Sequence, residues 1–260
     1  MSDILSAIVR QRKIDVRGDL KRLPLRRLKT LIERIPQARD FGRAVRRRPY
    51  SLIAEIKKSS PSEGEIVRRF NPAKLAAVYA ASGASAISVL TENRFFGGSN
   101  HLIGEVKKAC ALPVLRKDFI FSEYQIYESR YYGSDAVLLI ARILEKDILI
   151  KLFDLTKKLG MTPLVELYGT ADAEKIKGMK IPVLGINTRN LKSGEINFAA
   201  AEALAGKVEA ETLVCESGVK TRRDIDAALD AGFDSFLVGT AILKNGNKRR
   251  FIRSLMKNEK

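Results

Sequence analysis

The stretch LIAEIKKSSPSEGEI, from Leu52 to Ile66, decides how the rest of the chain is interpreted. It begins as an apolar run typical of a buried β-strand and continues into a loop rich in Lys, Ser, Pro and Gly. Glu55 and Lys57 lie two positions apart, so both side chains point to the same face of the strand. A charge in a buried strand is destabilising unless it is paired or has a function. The two residues therefore form either a structural ion pair or part of a site at the carboxyl end of the strand.

The chain beyond this stretch repeats the order strand, loop, helix. Most predicted strands are short continuous apolar runs, which is typical of parallel strands buried on both faces. Similar segments recur around Gly83, Gly133 and Gly232, which favours a regular repeat. Eight units predict an α/β fold, a (β/α)8 TIM barrel; a doubly wound open sheet fits less well, because no G-x-G-x-x-G follows the first strand. The predicted strands are Leu52–Lys57, Ser85–Leu90, Pro113–Arg116, Asp135–Ile140, Pro163–Glu166, Val183–Ile186, Thr212–Cys215 and Ser235–Val238.

Capping residues predict where several helices begin. Asn71 before Pro72 is typical of a helix N-cap followed by proline at the first helical position. Ser122 with Gln125 three residues later predicts a capping box. The other predicted helix starts are Thr170, Asn197 and Thr221.

The charge of the chain is unevenly distributed. The 260 residues carry a formal net charge of +17, and residues 1–48 hold 15 Lys and Arg against 5 Asp and Glu. Apolar residues recur there at helical spacing, so we expect residues 1–48 to form a basic helical extension packed on a barrel domain of residues 49–260. Nucleic acid is not the favoured partner, because the segment has one aromatic residue and no nucleic-acid module. The positive field instead favours an anionic small molecule.

The composition also disfavours several kinds of protein. No apolar run reaches the ~18 residues of a membrane span. The N-terminus has no secretory signal pattern, so we expect a cytoplasmic protein without a membrane partner. The two cysteines are far apart and the single histidine is His101. Neither a metal site nor a Ser-His triad is therefore expected.

Polar residues follow the predicted strands, where a (β/α)8 barrel carries its active site. Two lysines and two carboxylates stand out: Lys57 and Lys117, Glu55 and Glu166. Because burial lowers the proton affinity of a lysine, Lys117 is expected to have a lowered pKa and to act as a general acid. Carboxylates between apolar walls can act as bases. The other polar or small residues at these strand ends are Asn187, Arg189, Glu216, Ser217, Gly218, Gly239 and Thr240.

A phosphate site is predicted after the seventh and eighth strands. Ser217-Gly218 and Gly239-Thr240 allow backbone N–H groups to approach an anion at the position where many such barrels bind phosphate. Two ordinary turns are the alternative. An apolar wall for the pocket is expected from Phe96, Phe119 and Leu138, although single apolar residues more often belong to the core.

Eight segments of the chain resemble the indole-3-glycerol phosphate synthase family, in the family's order. They are LIAEIKKSSPSEG, SVLTENRFFGGS, PVLRKDFI, DAVLLIARIL, LVEL, GINTRNL, CESGV and FLVGTAIL. The resemblance covers residues from about 50 to 245, and the N-terminal segment resembles the family's helices before the barrel. It implies that 1-(2-carboxyphenylamino)-1-deoxyribulose 5-phosphate is cyclised, decarboxylated and dehydrated to indole-3-glycerol phosphate in tryptophan biosynthesis. It also implies that no metal or organic cofactor is used.

The resemblance implies roles for the matched residues. Lys117, in R-K-D-F, is similar to the family's general acid, and Glu166, in L-V-E, to its general base. Glu55 and Lys57 are similar to the pair that assists ring closure and later loss of the hydroxyl group. Asn187 and Ser217 match residues that would orient the intermediate, and Glu216 matches a contact to substrate hydroxyls. Arg189 would face the ring carboxylate. The matches that would contact phosphate or ribulose are Ser60, Gly218, Gly239 and Thr240.

The chain departs from the family pattern at three positions. Glu63 replaces a frequent Lys, Tyr168 a frequent His, and Thr240 a frequent Ser. None of these changes removes a catalytic group. Glu63, however, leaves open how the charge of its loop acts on an anionic substrate.

Three other interpretations remain open at this stage. One is a different phosphate-binding barrel, such as phosphoribosylanthranilate isomerase, which releases no carbon dioxide. Another is a nucleic-acid-binding protein acting through residues 1–48, for which a steep salt dependence of DNA affinity would be diagnostic. The third is a reconstructed barrel on the same scaffold. A monomer is the favoured oligomeric state.

Overall fold

A computed structural model of the chain describes residues 3–46, 49–189 and 198–257. Within these residues, eight parallel strands form a closed barrel in chain order, and the first strand pairs with both the second and the eighth. The closure confirms the (β/α)8 barrel and excludes the open sheet. The strands are β1 (Ser51–Ile56), β2 (Ala86–Leu90), β3 (Val114–Lys117), β4 (Ala136–Ile140), β5 (Thr162–Leu167), β6 (Val183–Asn187), β7 (Leu213–Glu216) and β8 (Ser235–Val238).

Helices precede the barrel and alternate with its strands. Those before it are α1 (Asp3–Arg22), α2 (Leu25–Leu31) and α3 (Phe41–Val45). Those of the barrel are α4 (Pro72–Ala80), α5 (His101–Ala109), α6 (Glu123–Tyr131), α7 (Lys146–Lys158), α8 (Thr170–Ile176), α9 (Phe198–Ala205), α10 (Arg222–Asp230), α11 (Thr240–Lys244) and α12 (Lys248–Met256). Two short antiparallel strands, Ser59–Ser60 and Gly64–Glu65, form a hairpin in the loop after β1.

Two of the predicted helix caps are present. Asn71 Oδ1 accepts a hydrogen bond from the backbone N of Lys74 at 2.8 Å, directly before α4. Thr221 forms a capping box with Asp224 at the start of α10. Both side chains satisfy backbone N–H groups that the first helical turn leaves without a partner.

The capping box predicted at Ser122 and the cap predicted at Thr170 were wrong, although Ser122 does occupy the N-cap position of α6. Ser122 makes no cap hydrogen bond; Gln125 Oε1 instead accepts from the backbone N of Phe121 at 2.9 Å. Thr170 is the first residue of α8 and not its cap. Its neighbour Asp172 accepts from the backbone N of Tyr168 at 2.9 Å and so ties the helix to the end of β5. The predicted start at Asn197 lies outside the described residues.

Side-chain alternation along β1 separates two apolar layers. Leu52, Ala54 and Ile56 pack in the large cluster between strands and helices, whereas Ile53 packs inside the barrel. Glu55 shares the inward face with Ile53, because the two are two positions apart. The barrel interior is apolar toward its amino-terminal end and is closed there by Phe41 and Val45 of α3, and the further interior residues include Leu115, Leu138, Leu164, Val214 and Leu237. The charged side chain Glu55 lies at the carboxyl end, whereas the polar residues Ser51 and Ser235 hydrogen-bond to each other at the amino-terminal end.

Helices α1 and α2 lie against α6 and the end of β3. Arg12 of α1 donates from Nε and Nη2 to Asp118 at 3.0 and 2.8 Å. Leu28 of α2 is fully buried in a cluster with Val16 and Tyr124. These contacts bury apolar and charged groups of the basic extension. The division of the chain at residue 48 stays a prediction.

Candidate active site

Five charged side chains meet at the carboxyl end of the barrel. Lys117 Nζ lies 2.7 Å from Glu216 Oε2 and 4.0 Å from Glu166 Oε2. Lys57 Nζ lies 2.6 Å from Glu55 Oε1. All three glutamates are buried. We call these five residues the mouth cluster; it holds two cations and three carboxylates, so its charges do not cancel.

The pKa of Lys117 is displaced opposite to the expected direction. Burial alone would lower it, but the negative charges of Glu216, Glu166 and Glu55 outweigh burial and raise the pKa of Lys117 well above its usual range. The expectation of a lowered pKa was therefore wrong. That expectation was based on the apolar wall alone. It did not include the carboxylates of three other strands that lie near the Lys117 ammonium. Lys117 is fully protonated at neutral pH and has a proton to donate.

The carboxylates of the mouth cluster have different proton affinities. Burial, reinforced by the like charge of Glu166, raises the pKa of Glu216 to about 7, although Lys117 opposes the shift. For Glu55, burial favours the neutral acid, but the charges of Lys57 and Lys117 outweigh burial and lower the pKa. At neutral pH the cluster therefore combines an ionised Glu55 with a Glu216 that exchanges a proton readily.

Asn187 and Tyr168 surround Glu166. Asn187 Nδ2 donates to Glu166 Oε1 at 2.7 Å and to the Tyr168 hydroxyl at 3.2 Å. The Tyr168 hydroxyl also hydrogen-bonds with Glu166, and burial, together with the charge of Glu166, raises the pKa of Tyr168 well above its usual range. The orientation of Glu166 is therefore set by two neutral donors.

Two glycines make room for the carboxylates. A Cβ at Gly185 of β6 would overlap Glu216 Oε1, and a Cβ at Gly239 would overlap Glu55 Oε1. Each glycine thus lets a glutamate side chain lie directly against the barrel wall. Glu216 Oε1 is buried and has no hydrogen-bond partner among the described residues. Within that part of the chain, Glu216 therefore has one unsatisfied oxygen, which lies against Gly185.

The predicted phosphate loops follow neighbouring strands. β7 and β8 pair side by side, so Ser217-Gly218 and Gly239-Thr240 leave the barrel next to each other. Ser217 and Gly218 both have left-handed backbones, with φ of 72° and 83°. For Ser217, a residue with a Cβ, this conformation is strained and is typical of functional sites. Thr240 is the first residue of α11.

Residues of the loops after β1, β2 and β3 form another side of the mouth. Phe96 and Phe119 pack with ring centroids 6.1 Å apart, and Phe119 also contacts the inner core that contains Leu138. Ser60 is 8% exposed, and its hydroxyl has no hydrogen-bond partner in the described part of the chain. Glu92 orders the second loop by accepting from the backbone N of Phe96 at 3.1 Å and from the two preceding residues.

The loop charges left open by the sequence are partly paired. Glu63 forms an ion pair with Lys244, and this hydrogen bond is the main reason that the pKa of Glu63 is lowered. The charge of Glu63 is therefore directed at a neighbouring lysine. Arg189 is exposed, and its backbone N donates to Asn187 Oδ1 at 3.0 Å.

Sequence reasoning placed the charged site residues but missed three that support them: Glu92, Gly185 and the role of Tyr168. The position of Glu92 directly after β2, where a buried carboxylate needs donors, was an available signal. For Gly185 there was no such signal, because its role depends on strand register.

Within the described residues, no group of His, Cys, Asp and Glu is placed to hold a metal ion. No described helix is long and apolar enough to span a membrane.

Comparison with known proteins agrees with this site. A sequence profile described as "Indole-3-glycerol phosphate synthase" matches residues 5–255. The indole-3-glycerol phosphate synthase of Polaromonas naphthalenivorans is 41% identical over 249 residues, which cover 94% of this chain and 95% of that protein. The protein of the same name from Albidiferax ferrireducens is 41% identical over 249 residues and 94% of each chain. A 3-hexulose-6-phosphate synthase structure from Salmonella typhimurium matches with a TM-score of 0.63 at 13% identity, covering 79% of this chain and 96% of that one, and shows the fold alone.

The matched region includes the helices before the barrel as well as the barrel itself. It contains all five residues of the mouth cluster. Together with the identity to two relatives over nearly their full lengths, this confirms the resemblance inferred from the motifs. The chain belongs to the indole-3-glycerol phosphate synthase family.

Proposed function

We propose that the chain converts 1-(2-carboxyphenylamino)-1-deoxyribulose 5-phosphate to indole-3-glycerol phosphate, carbon dioxide and water. The observation that carries the proposal is Lys117, a protonated ammonium held between Glu216 and Glu166 at the carboxyl end of the barrel. Ring closure places negative charge on the ketose oxygen, and a buried ammonium can neutralise that charge by proton transfer.

The first step is formation of the carbon–carbon bond. The aromatic carbon that bears the carboxylate attacks the ketose carbon, and the electron pair of the carbonyl moves to oxygen, which takes a proton from Lys117. Glu55 and Lys57, paired at 2.6 Å, assist this closure. Loss of carbon dioxide then returns the bond electrons to the ring. Glu216 fits as a contact for substrate hydroxyl groups, because its Oε1 has no partner among the described residues.

The second step is dehydration. The new hydroxyl group leaves as water with a proton from the Glu55–Lys57 pair, and Glu166 accepts the proton that the intermediate loses. Asn187 holds the carboxylate of Glu166 in place at 2.7 Å, and Ser217 lies at the end of the neighbouring strand β7. An acid and a base on opposite sides of one pocket are what the two proton transfers require.

The anionic ends of the substrate would bind at the rim. We assign the phosphate to the backbone of Gly218, Gly239 and Thr240 and to the Ser60 hydroxyl. Support comes from the adjacency of β7 and β8 and from the buried Ser60 oxygen that lacks a partner in the described residues. Arg189, exposed at the end of β6, would face the ring carboxylate. The Phe96 and Phe119 rings would form the wall for the aromatic ring.

Incubation of the protein with the carboxyphenylamino substrate tests the proposal. Indole fluorescence should rise in step with release of carbon dioxide. A barrel that turns over phosphoribosyl anthranilate and releases no carbon dioxide would instead be an isomerase. Absence of both reactions in correctly folded protein would refute the proposed activity.

A further inference from the structure

Tyr168 lies directly after β5, two positions beyond Glu166, so both side chains are on the same face of the chain. Its hydroxyl belongs to a closed group of three. Asn187 Nδ2 contacts Glu166 Oε1 at 2.7 Å and the Tyr168 oxygen at 3.2 Å, and the Tyr168 hydroxyl also bonds with Glu166. Because a phenol has one proton, accepting from Asn187 leaves that proton for the Glu166 carboxylate.

A second set of contacts fixes the ring itself. The guanidinium carbon of Arg142 lies 4.9 Å from the centre of the Tyr168 ring. Arg142 Nη2 donates to Asp172 Oδ2 at 3.0 Å, and the same oxygen accepts from the backbone N of Tyr168 at 2.9 Å. Side chain and backbone of Tyr168 are thus both held from the start of α8. Such support from a packed residue outside the reacting groups is typical of a preorganised site.

We infer that Tyr168 is a positioning residue for Glu166: its hydroxyl donates to the carboxylate and fixes its orientation. The inference rests on the proposed function, in which Glu166 is the general base. Tyr168 retains its proton at all working pH values, because burial and the neighbouring Glu166 raise its pKa well above the usual range. The hydroxyl is therefore a constant donor.

The surroundings of Glu166 explain why it needs the Tyr168 hydroxyl as a hydrogen-bond donor. Two titratable groups of other strands bear directly on Glu166, namely Lys117 of β3 at 4.0 Å and Glu216 of β7, whose like charge acts on it; Glu55 of β1 faces the same ammonium. Lys117 is engaged more closely by Glu216, at 2.7 Å, than by Glu166. Glu166 therefore depends on Asn187 and Tyr168 for its close hydrogen bonds. A hydrogen bond to a carboxylate stabilises the charged form against the neutral acid.

The test is Tyr168→Phe, which keeps the ring over Arg142 and removes only the hydroxyl. We expect kcat to fall about tenfold with KM changed less than about threefold, as for loss of one hydrogen bond to a charged group. The loss should fall on kcat rather than on KM, because an orienting hydrogen bond to the base acts on proton transfer and not on substrate binding. Tyr127→Phe, which removes a phenol on α6 away from the mouth, is the matched control and should behave like the parent.

Thermal unfolding of each variant separates chemistry from folding. A Tyr168→Phe protein with near-parental Tm, reduced kcat and near-parental KM supports the inference. Parental kcat, or a loss of kcat accompanied by a comparable rise in KM, overturns it, because a hydroxyl that only supports the pocket would change binding as much as turnover. A parent protein that releases no carbon dioxide would instead refute the proposed function, so the two failures are distinguishable.

Discussion

Two buried charge clusters lie on opposite faces of the same strand end. Lys117 points into the barrel and belongs to the mouth cluster. Its neighbours in sequence, Arg116 and Asp118, form an outer cluster with Arg12 of α1 and Glu128 of α6. Consecutive residues of a strand point to opposite faces, so one peptide step separates the two environments.

Within the described residues, no buried side-chain oxygen or nitrogen of the outer cluster lacks a hydrogen-bond partner. Asp118 accepts from Arg12, Arg116, the Thr91 hydroxyl at 2.9 Å and the backbone N of Phe119 at 2.8 Å. Arg12 also pairs with the less deeply buried Asp19 at 3.7 Å, so two guanidinium groups face three carboxylates. Burial would raise the pKa of Asp118, but the two arginines outweigh it and hold the pKa well below its usual range. This arrangement is typical of a structural anchor.

The mouth cluster is incompletely satisfied by comparison. Three carboxylates face two lysines, Glu216 Oε1 lacks a partner within the described residues, and the pKa of Glu216 is raised to about 7. Unpaired buried polar groups are destabilising and are rare away from functional sites. Burial and charge count alone therefore do not distinguish the two clusters. What distinguishes the mouth cluster is the unsatisfied hydrogen bonding and the raised pKa of Glu216.

The largest effect is expected from breaking the outer cluster. Asp118→Ala leaves two buried guanidinium groups without their shared carboxylate, so the free energy of unfolding should fall by about 3–5 kcal/mol. Urea denaturation measures the change. Asp226→Ala, which breaks the exposed Arg222–Asp226 pair, should cost less than about 1 kcal/mol. Equal losses for the two variants would contradict the role assigned to the outer cluster.

Breaking the mouth cluster should affect rate more than stability. We expect Lys117→Met to lower turnover at least ~10²-fold, because a general acid acts chiefly in the transition state. Lys57→Met should also raise KM, if Lys57 contacts the substrate phosphate. Steady-state kinetics test both, with Lys151→Met in an exposed ion pair as the control. Near-parental turnover of Lys117→Met would mean that another residue is the acid.

Gly185 tests whether the position of Glu216 matters independently of its charge. In Gly185→Ala the new Cβ would overlap Glu216 Oε1 and lie 3.0 Å from Leu164 Cδ2. We expect a loss of about 1–3 kcal/mol in unfolding free energy from overpacking, together with lower turnover. Gly18→Ala in α1, where nothing lies within 4 Å, should be neutral or stabilising. Parental activity of Gly185→Ala would show that Glu216 has room to move.

The position of the mouth cluster could be predicted from the sequence, but its electrostatics and the outer cluster could not. Apolar runs ending in charged residues located the mouth cluster, because strand ends converge whatever the details of packing. The direction of the Lys117 pKa was missed, because Glu55, Glu166 and Glu216 come from strands far apart in the chain. The Arg12–Asp118 pair, with 106 positions between its members, has no local signal.

Local signals also failed where side chains had a choice of partners. Ser122 and Thr170 are both good capping residues, yet neither side chain makes a capping hydrogen bond. Gln125 and Asp172 bond to the backbone of the incoming loop instead. Capping preferences describe an isolated helix, and here the connection to a barrel strand decides the outcome.

The smallest effect is expected from the ionisation of Glu216, which changes the free energy of unfolding with pH in a defined direction. The pKa of Glu216 rises from its ordinary 4.5 to about 7 on folding, so between these values the folded protein binds a proton that the unfolded chain releases. Glu216 therefore increases the free energy of unfolding at low pH, and this stabilisation is lost as pH rises through 7. Asp118, with its lowered pKa, contributes in the opposite sense and only at acidic pH, since its stabilisation is complete above about pH 4.

Glu216→Gln removes the titrating group and with it this slope. From pH 5 to pH 8 the variant should gain about 1–3 kcal/mol in unfolding free energy relative to the parent, because one pKa unit corresponds to about 1.4 kcal/mol. Urea denaturation across this range measures the difference in slope and is insensitive to any constant loss from the missing ion pair with Lys117. Glu105→Gln, an exposed carboxylate on α5, should keep the parental slope. Parallel curves for Glu216→Gln and the parent would show that the mouth cluster does not take up this proton, and the contrast with the outer cluster would then rest on hydrogen bonding alone.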